Sequence, residues 1–242
     1  MKRPRERREF LLEAGLLVAA TASLPTEAST AQKVPAGKDA KEIHENPTED
    51  VSPPEDLMRE HGVLNRILLI YGEILQRLNT GKDFPVEVLA GAAGIIRNFI
   101  EDYHEKLEED HLFPRFEQAG KLVDLVRVLR QQHQAGRRLT ASIQARASAS
   151  TLSTAAERKA LATDLDLFVR MYRPHEARED TILFPAIRSV VSAHEFDVMG
   201  DQFEDKEHAL FGKAGFEGVV ERVAGLERTL GIYELAQFTP KV

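Results

Sequence analysis

The chain has 242 residues, of which 43% are hydrophobic and 29% charged, and its net charge is −7. That length suits one domain with extensions, or at most two small domains. No basic cluster lies beyond the first eight residues, which argues against a nucleic-acid partner, because binding to phosphates needs a cationic surface. The chain has no cysteine, so disulfides, thiolate nucleophiles, iron–sulfur clusters and cysteine-bound zinc are excluded.

The first 31 residues are typical of a targeting segment. A basic stretch, residues 1–8, precedes a short apolar run, residues 10–24, which cannot span a bilayer as a stable helix. The segment Arg7-Arg8-Glu9-Phe10-Leu11 resembles the core of a twin-arginine export signal. The resemblance implies cleavage near Ala31 and a periplasmic protein, exported in its folded state and without a membrane span. The alternative is a basic amphipathic first helix on a cytoplasmic protein.

A linker at residues 32–53 is rich in Lys, Glu, Asp and Pro, and it precedes four segments with the apolar pattern of amphipathic helices. Apolar residues recur at helical spacing over about 55–79, from Pro85 onwards, over about 121–147 and over about 154–188. The sequence therefore predicts an all-α protein with an antiparallel up-down four-helix bundle over residues 54–190. Ser192 and Glu195 fit a capping box and open a predicted C-terminal helical extension, residues 191–242, packed on the bundle.

One motif occurs twice in the predicted bundle. The run His104-Glu105-Lys106-Leu107-Glu108-Glu109-Asp110-His111-Leu112-Phe113-Pro114 aligns without gaps with His175-Glu176-Ala177-Arg178-Glu179-Asp180-Thr181-Ile182-Leu183-Phe184-Pro185. Upstream, His61 precedes His104 by 43 residues, and His133 precedes His175 by 42. The bundle is therefore predicted to consist of two copies of one helical hairpin, related by a pseudo-twofold axis.

The spacing inside the motif has a chemical consequence, because residues four apart lie on the same face of a helix. All four histidines also fall on core stripes. A single histidine there is more often a hydrogen-bonded core residue, but the second copy of the motif favours a metal centre. Cations would offset the cost of burying the carboxylates, and mixed His and carboxylate donors favour iron, with manganese or zinc as alternatives. The predicted ligands are His61, His104, Glu108, His133, His175 and Glu179.

Residues 57–188 resemble the hemerythrin-like, or HHE cation-binding, family, including the Leu-Phe-Pro that follows each His-x-x-x-Glu. The resemblance implies a non-haem centre of two iron ions, ferrous or ferric, with an oxo or hydroxo bridge. It also implies that Glu108 and Glu179 bridge the ions. By the symmetry of the hairpins, the two histidines of each hairpin would hold one iron.

Two departures from the oxygen-carrying members of that family bear on function. Arg137 stands where they have a further histidine on the third helix, and their fourth helix has His-x-x-x-x-Asp in place of His-x-x-x-Glu. One iron is therefore expected to have an open or water-filled position, which Glu105 could fill as an additional ligand. The departures argue against reversible oxygen carriage and favour redox or sensing chemistry.

Other polar residues are expected to lie around or outside the centre. His111 follows His104 by seven residues, about 10 Å along the helix axis, which is too far for the same iron and suggests a supporting or surface role. Tyr172 is expected to line the pocket, and the alternative is a core aromatic. A solvated acidic face is predicted for three residues of the extension: Glu204, Glu207 and His208.

These observations predict a di-iron protein of the cell envelope that binds O2, NO or peroxide, rather than a dedicated enzyme. The first alternative is a peroxide or NO reductase that uses the same centre. The second is an iron-storage protein, or an iron or oxygen sensor without catalysis. The sequence shows no feature that identifies an electron donor or a protein partner.

Overall fold

The computed structural model describes residues 51–241, which form six helices and no strand, with short 3₁₀ turns between and after the helices. The helices are α1 (Pro53–Asn79), α2 (86–119), α3 (Val123–Arg146), α4 (155–186), α5 (Ala193–Phe211) and α6 (Gly215–Leu230). None of them is both long enough and apolar enough to cross a membrane. The predicted export segment and nearly all of the predicted linker lie outside the described residues, so both stay predictions.

Helices α1 to α4 form the bundle, in which each helix packs against two others: α1 and α3 each contact both α2 and α4. The apolar stripes of the four helices meet in its core, where the rings of Tyr71 and Phe168 pack edge to face at 5.3 Å. Burial of such stripes provides most of the stability of helices of this length. The predicted all-α, hemerythrin-like helical bundle is confirmed.

Local sequence signals set where the helices begin and end. Pro53 occupies the first turn of α1, where its missing N–H has no intrahelical partner to lose. The capping box at the start of α5 is present, because Ser192 Oγ accepts the backbone N–H of Glu195 and the Glu195 carboxylate accepts the backbone N–H of Ser192. Gly231 ends α6 in the left-handed conformation, with φ of 79°.

Helices α5 and α6 pack against each other and against α1 and α2. The ring of Phe211 lies 5.3 Å from the rings of both Phe99 and Tyr103 on α2. A Cβ atom at Gly91 would lie 2.8 Å from Leu226 Cδ2, so the absence of a side chain lets α2 and α6 approach closely. The C-terminal helices thus cover one side of the bundle and share its apolar core.

Helices α2 and α4 change from α to π geometry at the repeated motif. In α2 the π segments are Ile96–His104 and Glu108–Leu112, and in α4 the π segment is Glu179–Leu183. The segments that begin at Glu108 and at Glu179 occupy corresponding positions of the two copies. A π turn contains an extra residue and so redirects the side chains that follow it, and such turns are frequent at functional sites.

Candidate metal centre

The four predicted histidines lie in two pairs inside the bundle. The Nε2 atoms of His61 and His104 are 3.1 Å apart, and those of His133 and His175 are 3.3 Å apart. All four residues are buried. Two nitrogens that bind one cation at about 2.1 Å and roughly a right angle lie about 3 Å apart, so each pair has the spacing expected for ligands of one ion.

Glu108 lies between the two pairs. Its Oε1 is 3.9 Å from Nε2 of His104, and its Oε2 is 3.4 Å from Nε2 of His133. One carboxylate thus faces a histidine of each pair with a different oxygen. A bridging ligand needs this arrangement.

Glu179 occupies the corresponding place in the second copy of the motif. Its Oε2 is 3.5 Å from Nε2 of His61 and 3.0 Å from Nε2 of His175. Each copy therefore contributes a carboxylate that reaches both histidine pairs. These residues form two groups, and within each group the ligand atoms lie within 4.8 Å of one another. The groups are His61, His104 and Glu108, and His133, His175 and Glu179.

The two carboxylates have an unusual environment. Glu108 and Glu179 are completely buried, and none of their four oxygens has a hydrogen-bond partner in the described part of the chain. Burying a carboxylate costs several kcal/mol unless a partner compensates it. The residues therefore fit a site for cations, because cations would satisfy all four oxygens at once.

The other ring nitrogen of each histidine is hydrogen-bonded to a residue that we call its outer partner. In the histidines of α1 and α3, Nδ1 of His61 donates to Oδ1 of Asp180 at 2.7 Å, and Nδ1 of His133 donates to Oε1 of Glu109 at 3.0 Å. Asp180 directly follows Glu179 in the sequence, and Glu109 directly follows Glu108. The outer partner of each of these two histidines therefore comes from the opposite hairpin.

In the histidines of α2 and α4, Nδ1 of His104 donates to Oε2 of Glu60 at 2.7 Å, and Nδ1 of His175 donates to Oε1 of Gln132 at 2.9 Å. Glu60 and Gln132 each directly precede the first histidine of a hairpin. Because all four Nδ1 atoms donate a proton, the four Nε2 atoms keep their lone pairs for a metal ion.

Sequence reasoning missed the four outer partners, although each is the sequence neighbour of a predicted ligand. The signal for two of them was the acidic residue directly after Glu108 or Glu179, and for the others it was the polar residue before each upstream histidine. Metal-binding histidines commonly donate their second N–H to such an acceptor. This regularity makes the four residues candidate acceptors, but which histidine each one binds depends on packing.

The Leu-Phe-Pro of each motif also has a place in the centre. Phe184 stacks on the ring of His61 at 5.4 Å, and Phe113 stacks on the ring of His133 at 5.5 Å. Both phenylalanines are buried. Each motif therefore supplies an apolar cover for a histidine of the other hairpin, which keeps water from that face of the ring.

Glu105, the predicted additional ligand, lies outside the two groups that contain Glu108 and Glu179, and forms a third group with Glu109 and His133, whose ligand atoms lie within 4.8 Å of one another. Its Oε1 accepts the hydroxyl of Tyr172 at 2.7 Å, and its Oε2 is 2.8 Å from Nη2 of Arg137. The carboxylate is also 4.0 Å from Nδ1 of His133, on the side of that ring away from the centre. The geometry thus assigns Glu105 to an ion pair and a hydrogen bond at the edge of the centre.

Tyr172 is both a core aromatic and a polar neighbour of the centre. Its ring lies 5.4 Å from the ring of His175, and its hydroxyl donates to Glu105. The hydroxyl needs the space above Gly136, where a Cβ atom would lie only 2.0 Å from it. Glycine at this position of α3 therefore permits the hydrogen bond.

His111 lies outside both groups, as expected. Its ring packs edge to face on Phe203 of α5 at 5.6 Å, and burial lowers its pKa. Two of the three residues predicted for a solvated face also lie outside the centre: Glu204, partly exposed, and His208, exposed.

The prediction of a solvated face is wrong for Glu207. Its carboxylate is buried and lies in one cluster with those of Asp56 and Glu60, with oxygen atoms within 4.8 Å of one another. Its Oε1 accepts the backbone N–H of Phe216 at 3.0 Å, at the beginning of α6. The apolar stripe of α5 did not indicate that this residue would face α1.

The electrostatics of the centre favour protons when no cation is bound. Burial lowers the pKa of His61, but the hydrogen bond to Asp180 and the charge of Glu179 outweigh it and raise the pKa to about 10. Burial and the neighbouring carboxylates raise the pKa of Glu108 well above its usual range. Burial lowers the pKa of His133 to about 4. The pKa of both His61 and Glu108 therefore lies above its usual range when no cation is bound.

Comparison with known families agrees with this geometry. The model of the hemerythrin HHE cation-binding domain matches residues 52–187, which is more than half of the chain. The chain belongs to this family, and its histidine–glutamate groups could hold metal ions.

Two mycobacterial relatives are 55% identical to this chain over 190 residues, which is 78% of this chain and 74% of theirs. They are named Uncharacterized protein Mb2018, from Mycobacterium bovis, and Uncharacterized protein Rv1995, from Mycobacterium tuberculosis. These names state no activity or ligand. No solved structure matches the chain significantly.

Replacing His61 and Glu179 together by alanine should abolish metal binding, because one substitution is made in each group. Metal analysis after anaerobic loading with Fe(II) should find about two ions per chain in the parent, since each group can hold one, and less than one in the variant. The matched control replaces Asn65 and Glu176, a hydrogen-bonded pair on the same two helices, and should keep the metal. Full loading of the first variant would contradict the ligand assignment.

Metal binding should release protons, because ligands bind in their deprotonated form. Because the pKa of His61 is raised to about 10 and that of Glu108 is also raised, metal binding near neutral pH should release protons from these ligands. Lowering the pH makes these protons compete better, so the affinity for Fe(II) should fall from about pH 8 to about pH 6. Anaerobic titration in weak buffer measures both effects, and a pH-independent affinity would contradict them.

Proposed function

We propose that this chain holds two iron ions and binds a small ligand at them: O2, NO or hydrogen peroxide. The observation that carries the proposal is the pair of buried carboxylates, Glu108 and Glu179, which reach both histidine pairs and lack hydrogen-bond partners in the described residues. Mixed imidazole and carboxylate donors with open positions suit non-haem iron. When bound, two irons supply coordination positions for a small ligand and electrons for its reduction.

The number of protein donors supports ligand binding. Each position has two imidazoles and a share of two carboxylates, which is fewer donors than an octahedral ion accepts. Arg137 stands one turn after His133, where oxygen carriers of the family have a further histidine. It cannot take that role, because a guanidinium keeps its proton and has no lone pair to offer. Its side chain instead pairs with Glu105 and Glu109, at 2.8 Å in both cases.

The residues around the centre limit water and hold a proton nearby. Phe113 and Phe184 cover one histidine of each pair. Burial, together with the charge of Glu105, raises the pKa of Tyr172 well above its usual range, so its hydroxyl stays protonated beside His175. The chain thus offers a dry site with one fixed O–H group near the second histidine pair.

Small-ligand binding is tested on the anaerobic, Fe(II)-loaded protein by optical titration with NO, O2 and hydrogen peroxide. We expect a spectral change that saturates with added ligand, since the protein donors leave coordination positions open, and that reverses when NO is removed. Arg137→His should weaken this binding by adding a donor at the open position, whereas Arg137→Lys, which adds none, should not.

The titration also separates the alternatives. Repeated turnover of peroxide or NO with a supplied reductant would favour the reductase. No ligand binding, combined with a change in protease sensitivity on iron loading, would contradict the proposal and favour storage or sensing.

We also propose export through the twin-arginine-like segment, because Arg7 and Arg8 precede an apolar run. Replacing both arginines by lysine should leave the protein in the cytoplasm, since the charge is kept and only the arginine pair is lost. Fractionation of cells that express the tagged full chain measures this. Periplasmic protein in equal amount from parent and variant would contradict this route.

A further inference from the structure

The ligands of the two metal positions are equivalent, but their outer partners are not. In the first pair, the Nδ1 atoms of His61 and His104 donate to two carboxylates. In the second pair, Nδ1 of His133 donates to a carboxylate, but Nδ1 of His175 donates to the neutral amide of Gln132. The duplication has therefore kept the geometry of all four hydrogen bonds and changed the charge of one acceptor.

Glu109, the carboxylate that accepts the Nδ1–H of His133 in the second pair, is also a weaker acceptor. Glu109, which binds His133, lies 2.8 Å from Nη1 of Arg137 and 2.5 Å from Nζ of Lys106. Its counterpart Asp180, which binds His61, has no Lys or Arg at ion-pair distance in the part of the chain that the structure describes. Two cationic side chains thus pair with Glu109, whereas Asp180 pairs with no Lys or Arg among the described residues.

These differences change the strength of the imidazole donors. A carboxylate that accepts the Nδ1–H makes Nε2 more basic, and hence a better ligand, than a neutral acceptor does. Outer acceptors of this kind typically change metal affinity by about 10- to 100-fold. Both histidines of the first pair donate to a carboxylate and therefore receive this effect. In the second pair, the effect on His133 is reduced because cations pair with Glu109, and His175 donates only to a neutral amide.

We propose that the two positions are inequivalent: a divalent cation binds first and more tightly at His61 and His104, and second and more weakly at His133 and His175. Glu60 and Gln132 are the positioning residues that set this order. The inference rests on the proposed two-metal centre, and it adds that one of the two ions exchanges more readily than the other. The weaker position is the one beside Arg137 and Tyr172.

Gln132 shows which substitution of Glu60 keeps the hydrogen bond and removes only the charge. Gln132 holds Nδ1 of His175 at 2.9 Å, so an amide in place of Glu60 can hold Nδ1 of His104 in the same way without the charge. Glu60→Gln therefore tests charge rather than geometry. Glu73→Gln, on the same helix and about 20 Å away along its axis, removes the same charge far from the centre and is the control.

The experiment is calorimetric titration of the metal-stripped full chain with Fe(II) under anaerobic conditions. The parent should bind in two steps whose affinities differ by at least about tenfold. Glu60→Gln should weaken binding at His61 and His104 by about tenfold and leave binding at His133 and His175 unchanged, so that the two steps approach each other. Glu73→Gln should change neither. Circular dichroism checks that each variant is folded.

The reverse substitution gives an independent result, because a merely structural role of Glu60 would not predict it. Gln132→Glu should strengthen the second step about tenfold, so that the two steps approach each other. Two equal steps in the parent, or equal weakening of both steps by Glu60→Gln, would overturn the inference and leave the two-metal centre intact. Binding of fewer than two ions by the parent would instead contradict the proposed function itself.

Discussion

The structure depends on one electrostatic constraint, which is the burial of two carboxylates without hydrogen-bond partners inside a helical bundle. Glu108 and Glu179 face each other's histidines across the bundle, and neither reaches solvent. Such a group is tolerated only if positive charge compensates it. The raised pKa of His61 and of Glu108 follows from this constraint, and cations would compensate all four oxygens. The bundle is therefore a scaffold for a charged centre in an otherwise apolar core.

The pseudo-twofold symmetry explains both the likeness and the difference of the two halves. Each hairpin supplies two histidines, one carboxylate that reaches both histidine pairs, one π turn that begins at that carboxylate, and one phenylalanine that covers a histidine of the other hairpin. The positions next to these residues have diverged. Charged residues surround the second half at Glu105 and Arg137, where the first half has the hydrogen bond between Asn65 and Glu176.

Glu60 connects the C-terminal helices to the centre. It accepts the Nδ1–H of His104 and shares a buried cluster with Glu207, which in turn accepts a backbone N–H at the beginning of α6. Helices α5 and α6 pack on α1 and α2, the helices that contain His61 and His104. The extension thus adds to the asymmetry that the outer partners create.

The sequence by itself determined the all-α fold and the grouping of six residues, because helical periodicity and a duplicated His-x-x-x-Glu are local patterns. It did not indicate the outer partners, since His61 and Asp180 are 119 residues apart and meet only when α1 packs against α4. It also placed Glu207 in solvent, because its contact with α1 depends on how the extension docks. Hydrogen bonds between distant helices follow from packing, which periodicity cannot specify, and so only the tertiary structure decided how the two halves of the centre differ.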